Sequence, residues 1–173
     1  MFKVKNGEIE KLGLLFERHK RLLFAYFYRS TMDQQASEDL VQIVFMKILK
    51  YRHNFSGTGK FTTWMYRIAH NASIDFFRKN QRCQDLETLH ATNFTEEQTP
   101  ENEMLHNEKM QLLNIAMTQL SVEHRNVLLL SKYQQLKYKE IGEILNCSEN
   151  TVKIKVFRAL AELKQKYKQL DKS

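Results

Sequence analysis

Proline is almost absent from this 173-residue chain: Pro100 is the only one, and there are five glycines. So few breakers over this length exclude a turn-rich fold and favour long helices. Cysteine is equally scarce. Cys83 and Cys147 stand far apart in the sequence, which argues against a disulfide framework and reads as two free thiols. No apolar run is longer than Leu22 to Tyr28, too short to cross a bilayer. The start, Met1-Phe2-Lys3-Val4-Lys5, carries no apolar signal core, so the chain is expected in the cytoplasm. The six histidines are scattered without paired metal spacing, and no nucleophile–base pair can be picked out. Neither a metal, a cofactor nor a catalytic activity of its own is expected.

What is present is charge, unevenly placed. The formal net charge is +7, which points to nucleic acid or an anionic membrane surface as partner. Residues 1–82 hold 15 Lys/Arg against 7 Asp/Glu, residues 83–108 hold 7 acids and no Lys/Arg, and residues 109–173 hold 12 Lys/Arg against 6 acids. The middle block also contains Pro100 and the polar run Ala91 to Gln98. This pattern reads as two basic domains, 1–82 and 109–173, joined by an acidic linker, 83–108. One domain with a long acidic loop is the other arrangement that fits, though such loops are uncommon in compact domains.

Both basic blocks have helical periodicity, and no segment alternates like a strand. Leu12, Leu15, Phe16, His19, Leu22 and Leu23 recur at three and four. Ser37-Glu38-Asp39 has the form of a cap followed by first-turn acids, opening a helix that buries Leu40, Val44 and Ile48. After a break holding Gly57 and Gly59, a third helix is expected from about Thr62 to Lys79. In the last block Glu108–Leu120, Val122–Tyr133, Tyr138–Leu145 and Glu149–Lys168 read as helices. The fold class is therefore all-α.

The last two of these helices form a helix-turn-helix. Such helices cross closely, and Gly142 supplies the small residue where they meet. Asn146 suits the left-handed end of the first helix, and Ser148 caps the second. At about 100° per residue, Val152, Val156, Ala159, Leu160 and Leu163 turn inward. Asn150, Ile154, Phe157 and Arg158 turn outward, flanked by Lys153 and Lys155, with Thr151 beside them. This is a recognition-helix pattern: central side chains reach base edges while lysines meet phosphates. Ile154 and Phe157 are exposed apolar residues unless they meet thymine methyls or sugars.

The third helix has a core face of Met65, Ile68, Ala69, Ala72 and Phe76. A second stripe carries Trp64, Arg67, Asn71, Asp75 and Arg78. An aromatic, cations and an amide behind a loop suit unstacked bases, although Trp64 packing against the preceding helix accounts for it equally. Gly57-Thr58-Gly59-Lys60 is not a nucleotide-type phosphate loop, since its spacing is wrong and no strand precedes it.

Three stretches together resemble a bacterial sigma factor of the extracytoplasmic-function group of the sigma-70 family, over nearly the whole chain. Glu38 to Lys47 resembles that family's polymerase-binding helix. Phe55-Ser56-Gly57 followed by Phe61 to Asn71 resembles its −10 loop and helix. Leu136 to Leu145, with Thr151-Val152-Lys153 and Phe157-Arg158-Ala159, resembles its −35-reading motif. The three in this order are far more specific than any one of them.

The resemblance implies two sigma domains, domain two and domain four, and a set of residue roles. Asp39 and Gln42, with Phe45 and Lys47 on the same helix, would serve core RNA polymerase, facing the coiled-coil clamp of its β′ subunit. The β flap would take the C-terminal domain. Ser56, Gly57, Thr58, Gly59 and Lys60, with Asn71, would hold a base flipped from the −10 element, and Trp64 and Arg67 would sit at the upstream edge of melted DNA. Asn150, Thr151, Lys153, Ile154, Lys155, Phe157 and Arg158 would read the −35 duplex. The acidic linker would thread toward the RNA exit channel, and an anti-sigma factor would hold the protein in reserve. The chain departs from the family at Ile43, where an acid is usual, and at Lys155 and Leu160, where arginine is frequent. Lysine lacks the bidentate fork of arginine. Two other readings fit the helix-turn-helix: a repressor or activator that dimerises on a palindrome, and a sigma-like protein that binds polymerase without reading DNA.

Overall fold

The computed structural model describes residues 1–84 and 101–171. Every regular element among them is helical, as the breaker-poor sequence leads one to expect. A short α1 (Phe2–Lys5) and a 3₁₀ turn lead into α2 (Leu12–Thr31) and α3 (Gln34–Lys50). A second 3₁₀ turn, Arg52–Asn54, and a loop precede α4 (Phe61–Gln84). The other half has α5 (Glu101–Thr118), α6 (Val122–Leu128), one π turn at Leu129–Tyr133, α7 (Tyr138–Leu145) and α8 (Glu149–Leu170). The stretch expected as an acidic linker lies largely outside the described residues. Its described ends are helix, because α4 runs to Gln84 and α5 starts at Glu101.

Local chemistry sets the helix ends. Met32, in the left-handed region at φ 55°, closes α2. Asp33 then caps α3, accepting the Ala36 N–H at 2.9 Å. The expected cap, Ser37, sits a turn inside the helix: it is buried and its hydroxyl donates to the Asp33 carbonyl at 2.5 Å. Once Met32 turns the chain, Asp33 is the first side chain able to cap, and starting there adds a full turn. Ser148 caps α8 as expected, accepting the Thr151 N–H at 3.1 Å.

Leu23, Tyr26 and Phe27 of α2 meet Leu40, Val44 and Ile48 of α3 and Met65, Ala69 and Ala72 of α4 in the core. Leu22 is not part of it. It is about half exposed, because a rotation of about 100° from Leu23 carries it past the edge of the buried stripe. Val127 to Leu130, Ile141, Ile144, Val152, Val156 and Ala159 fill the second half. The two halves do not stand apart: their buried residues form one continuous cluster, with α4 packed on α6 and α7.

Candidate nucleic-acid interface

The helix-turn-helix folds as the sequence prescribes. Glu140 bends back to accept the Lys137 N–H at 2.9 Å, closing the first turn of α7. Asn146 ends the helix at φ 54°, ψ 48°. A Cβ on Gly142 would lie 2.6 Å from the Cys147 carbonyl oxygen, so the turn can fold back this tightly only over glycine. Val152, Val156 and Ala159 of α8 are buried. Leu160, expected among them, is exposed instead, together with Ile154 and Phe157. The register explains this, since Leu160 lies three residues past Phe157 and shares its face. Asn150, Lys153 and Arg158 are also exposed, while Thr151 and Lys155 are half-buried. Lys153 pairs with Glu149 at 3.5 Å and Lys155 with Glu123 at 3.1 Å.

The loop before α4 makes the second site. Gly57 takes φ 78°, and a side chain there would strike the Phe2 ring. Ser56 and Thr58 bond to each other through their hydroxyls at 2.8 Å. With Lys60, Trp64 and Arg67 they line a cleft of about 360 Å³. Trp64 is half-buried, with Phe55 at 5.5 Å and Phe61 at 6.2 Å between ring centroids. It therefore packs on the loop that precedes its own helix and still edges the cleft. Asn71 does not join this group: it lines a neighbouring cleft with Tyr51 and Lys47. Seven residues past Trp64 is about 10 Å farther along the helix, beyond the loop's reach.

The far wall of the loop cleft comes from the other half of the chain. Glu143 and Asn146 of α7 line it, and Glu140 holds Lys60 at 2.8 Å. The Lys60 ammonium, and after it the Lys137 N–H, keep the Glu140 carboxyl below its ordinary range.

On α3, Asp39 and Gln42 are exposed beside Ile43 and Met46. Phe45 cannot present itself to a partner, contrary to expectation: it is buried edge-on against Phe16 at 5.0 Å, because the stripe that faces α2 includes it. Lys47 reaches Asp75 at 3.5 Å.

Sequence reasoning missed the joint between the halves. Asn126 of α6 is fully buried. Its Oδ1 accepts from Tyr26 Oη at 3.2 Å and from Ser73 Oγ at 3.5 Å. Its Nδ2 donates to His70 Nδ1 at 3.3 Å, which requires neutral His70 with its proton on Nε2. Burial, the largest cause, holds His70 below its ordinary pKa and pushes the Tyr26 and Tyr66 hydroxyls well up. Beside Asn126, Arg125 donates to the Ser30 carbonyl at 2.5 Å, to Met117 at 2.9 Å and to Leu120 at 3.1 Å, and stacks over Phe77 at 5.0 Å. Tyr66 reaches Gln134 at 2.5 Å. Polar residues on helices carry no periodic signal that distinguishes such a joint from a wet surface.

Two family models match the chain: sigma-70 region 2 over residues 15–83, and sigma-70 region 4 over residues 111–163. RNA polymerase sigma factor YlaC of Bacillus subtilis is 31% identical over 153 residues, 87% of this chain and 88% of that protein. The ECF RNA polymerase sigma-E factor of Haemophilus influenzae is 28% identical, with 97% of this chain and 93% of that one covered. Among solved structures, the sigma factor RpoE in complex with the anti-sigma factor NepR from Bartonella quintana shares the fold, at TM-score 0.71 and 21% identity, over 90% of this chain and 96% of that one.

Proposed function

The chain belongs to the sigma-70 family, in its extracytoplasmic-function group, and from that membership we propose how its residues divide the work of a promoter-specificity subunit. It binds core RNA polymerase and directs transcription initiation from −35/−10 promoters. The chemistry of RNA synthesis is the polymerase's, and this chain supplies recognition in the cytoplasm.

Residues 1–82 act as sigma domain two and residues 109–173 as sigma domain four, with 83–108 between them threading toward the RNA exit channel. The exposed Asp39 and Gln42 meet the β′ clamp coiled coil, with Ile43 and Met46 making that contact partly apolar. The β flap takes domain four. Ser56, Thr58 and Lys60 grip the −10 strand, a flipped base enters beside Trp64, and Arg67 follows the backbone. Unstacking costs a few kcal/mol per base, and stacking on an aromatic offsets a similar amount. Asn71 acts one step away on the same strand. On α8, Asn150 and Arg158 reach base edges while Lys153 and Lys155 exchange their carboxylate partners for phosphates. An anti-sigma factor, as in the Bartonella complex, holds the protein until it is needed.

The observation that carries this reading is one chain with both a recognition helix and a cleft of loop, aromatic and cations behind an exposed polymerase-type helix face. The test is reconstitution of the purified protein with core RNA polymerase, followed by mapping of transcript starts across the genome. New start sites sharing −35 and −10 elements are expected, and an unchanged start map rejects the assignment.

A further inference from the structure

Resting on the −35 role of α8, we propose that this helix identifies its element by the C5 methyl groups of adjacent thymines, read by Ile154 and Phe157. Its outer face is built against hydrogen-bond readout at the centre. Ile154 is 52% exposed and Phe157 74% exposed, and neither has a donor or an acceptor in its side chain. Nearest them, Lys153 pairs with Glu149 at 3.5 Å, Lys155 with Glu123 at 3.1 Å, and the Thr151 hydroxyl with Ser148 at 2.8 Å, while the exposed Asn150 and Arg158 flank the apolar pair.

In the major groove every base pair shows donors and acceptors, and the one apolar group on a natural, unmodified pair is the thymine methyl. An apolar side chain pressed on a donor or acceptor removes its water and returns no bond. Pressed on a methyl, it gains buried area. The spacing fits two neighbours on one strand. Residues three apart on a helix hold their Cβ atoms roughly 5–6 Å from each other, and successive bases rise by about 3.4 Å.

The charge around the stripe selects the occupant. Counted from its sequence, α8 carries six Lys/Arg against two Glu, a field that attracts a polyanion and not an apolar protein face. Specificity here is therefore divided: the apolar pair reads methyls at the centre, and Asn150 and Arg158 read hydrogen-bonding edges on either side.

The experiment uses holoenzyme, the full chain with core RNA polymerase, and a promoter duplex taken from a start site it uses. That duplex is made with thymine, or with uracil at the −35 thymines, which changes only the methyl. Binding is measured by competition for wild type and for the double variant Ile154→Ala, Phe157→Ala, both at exposed helix positions. The start sites are expected to share adjacent thymines on one −35 strand. Uracil at both is expected to weaken wild-type binding by about fifteenfold, near fourfold per methyl, and to leave the variant, already weaker on thymine, with a thymine-to-uracil ratio near one. Equal binding of thymine and uracil duplexes by wild type overturns the proposal, and so does an equal uracil loss in the variant. In both cases initiation itself persists, so the sigma-factor reading stands. Absence of any start site removes that reading and this proposal together.

Discussion

Asn126 satisfies Tyr26, Ser73 and His70 at once, and each of these partners is buried with it. One consequence follows for acid. His70 is held below its ordinary pKa of 6.5 first by desolvation, with Glu123 working against the shift and Lys155 with it; His19 is lowered too, by burial and by Arg18. Below pH 6.5 the unfolded chain takes up protons that the folded chain refuses. The contribution is therefore complete above pH 6.5 and declines as pH falls. Urea midpoints are expected to drop between pH 7.5 and 5.5, with His70→Gln removing part of the slope and His19 retaining the rest. Coincident midpoints would show that neither histidine is linked to folding. Gly142 is the opposite kind of residue, readable from the sequence because its reason is local. Gly142→Ala, whose Cβ would meet the Cys147 carbonyl, is expected to cost about 1–3 kcal/mol in urea denaturation. Asn126 was not readable, since an asparagine on a helix resembles a surface residue until its partner helices are in place.

Among the elements, α7 and α8 were legible to the residue at their starts, because a cap, a left-handed asparagine and a close glycine each leave a mark. The start of α3 was misplaced by a turn, since Asp33 and Ser37 are both capping residues and only the fold of Met32 decides between them. The π turn at Leu129–Tyr133 left no mark at all. The Lys60–Glu140 bridge joins the loop before α4, proposed to grip the −10 strand, to α7. Glu140→Gln keeps the bond to the Lys137 N–H, since glutamine serves at that cap position, but it releases the lysine. The free protein carrying this change is expected to bind a single-stranded −10 oligonucleotide more tightly in fluorescence anisotropy at low salt. An unchanged isotherm would mean that the bridge does not compete with phosphate.

For the molecule as a whole, the all-helical class could be read from periodicity, and the helix-turn-helix from its motif. The packing of one half on the other could not, because it rests on pairs as distant in sequence as Tyr26 and Asn126. That packing conflicts with the promoter's dimensions. Elements centred near −35 and −10 lie about 25 steps apart, or roughly 85 Å at 3.4 Å per step, whereas here the loop proposed to grip the −10 strand touches the helix-turn-helix. Asn126→Ala, which strands three buried polar groups, is expected to weaken the joint by about 1–3 kcal/mol. Small-angle scattering should then show a larger radius of gyration at unchanged helical content. An unaltered radius would place the hold between the halves elsewhere.

The joint at Asn126 also bears on the order of assembly. The face of α3 proposed to meet polymerase is exposed while the halves are closed, so on that reading polymerase can be met first, whereas the two proposed DNA grips can be used together only after the halves separate. If only a fraction of molecules is open at any moment, apparent affinity for promoter falls by that same fraction. Transcriptional output can then be tuned at a site that touches neither DNA nor polymerase, by substitutions that shift an internal equilibrium and leave every recognition residue as it was.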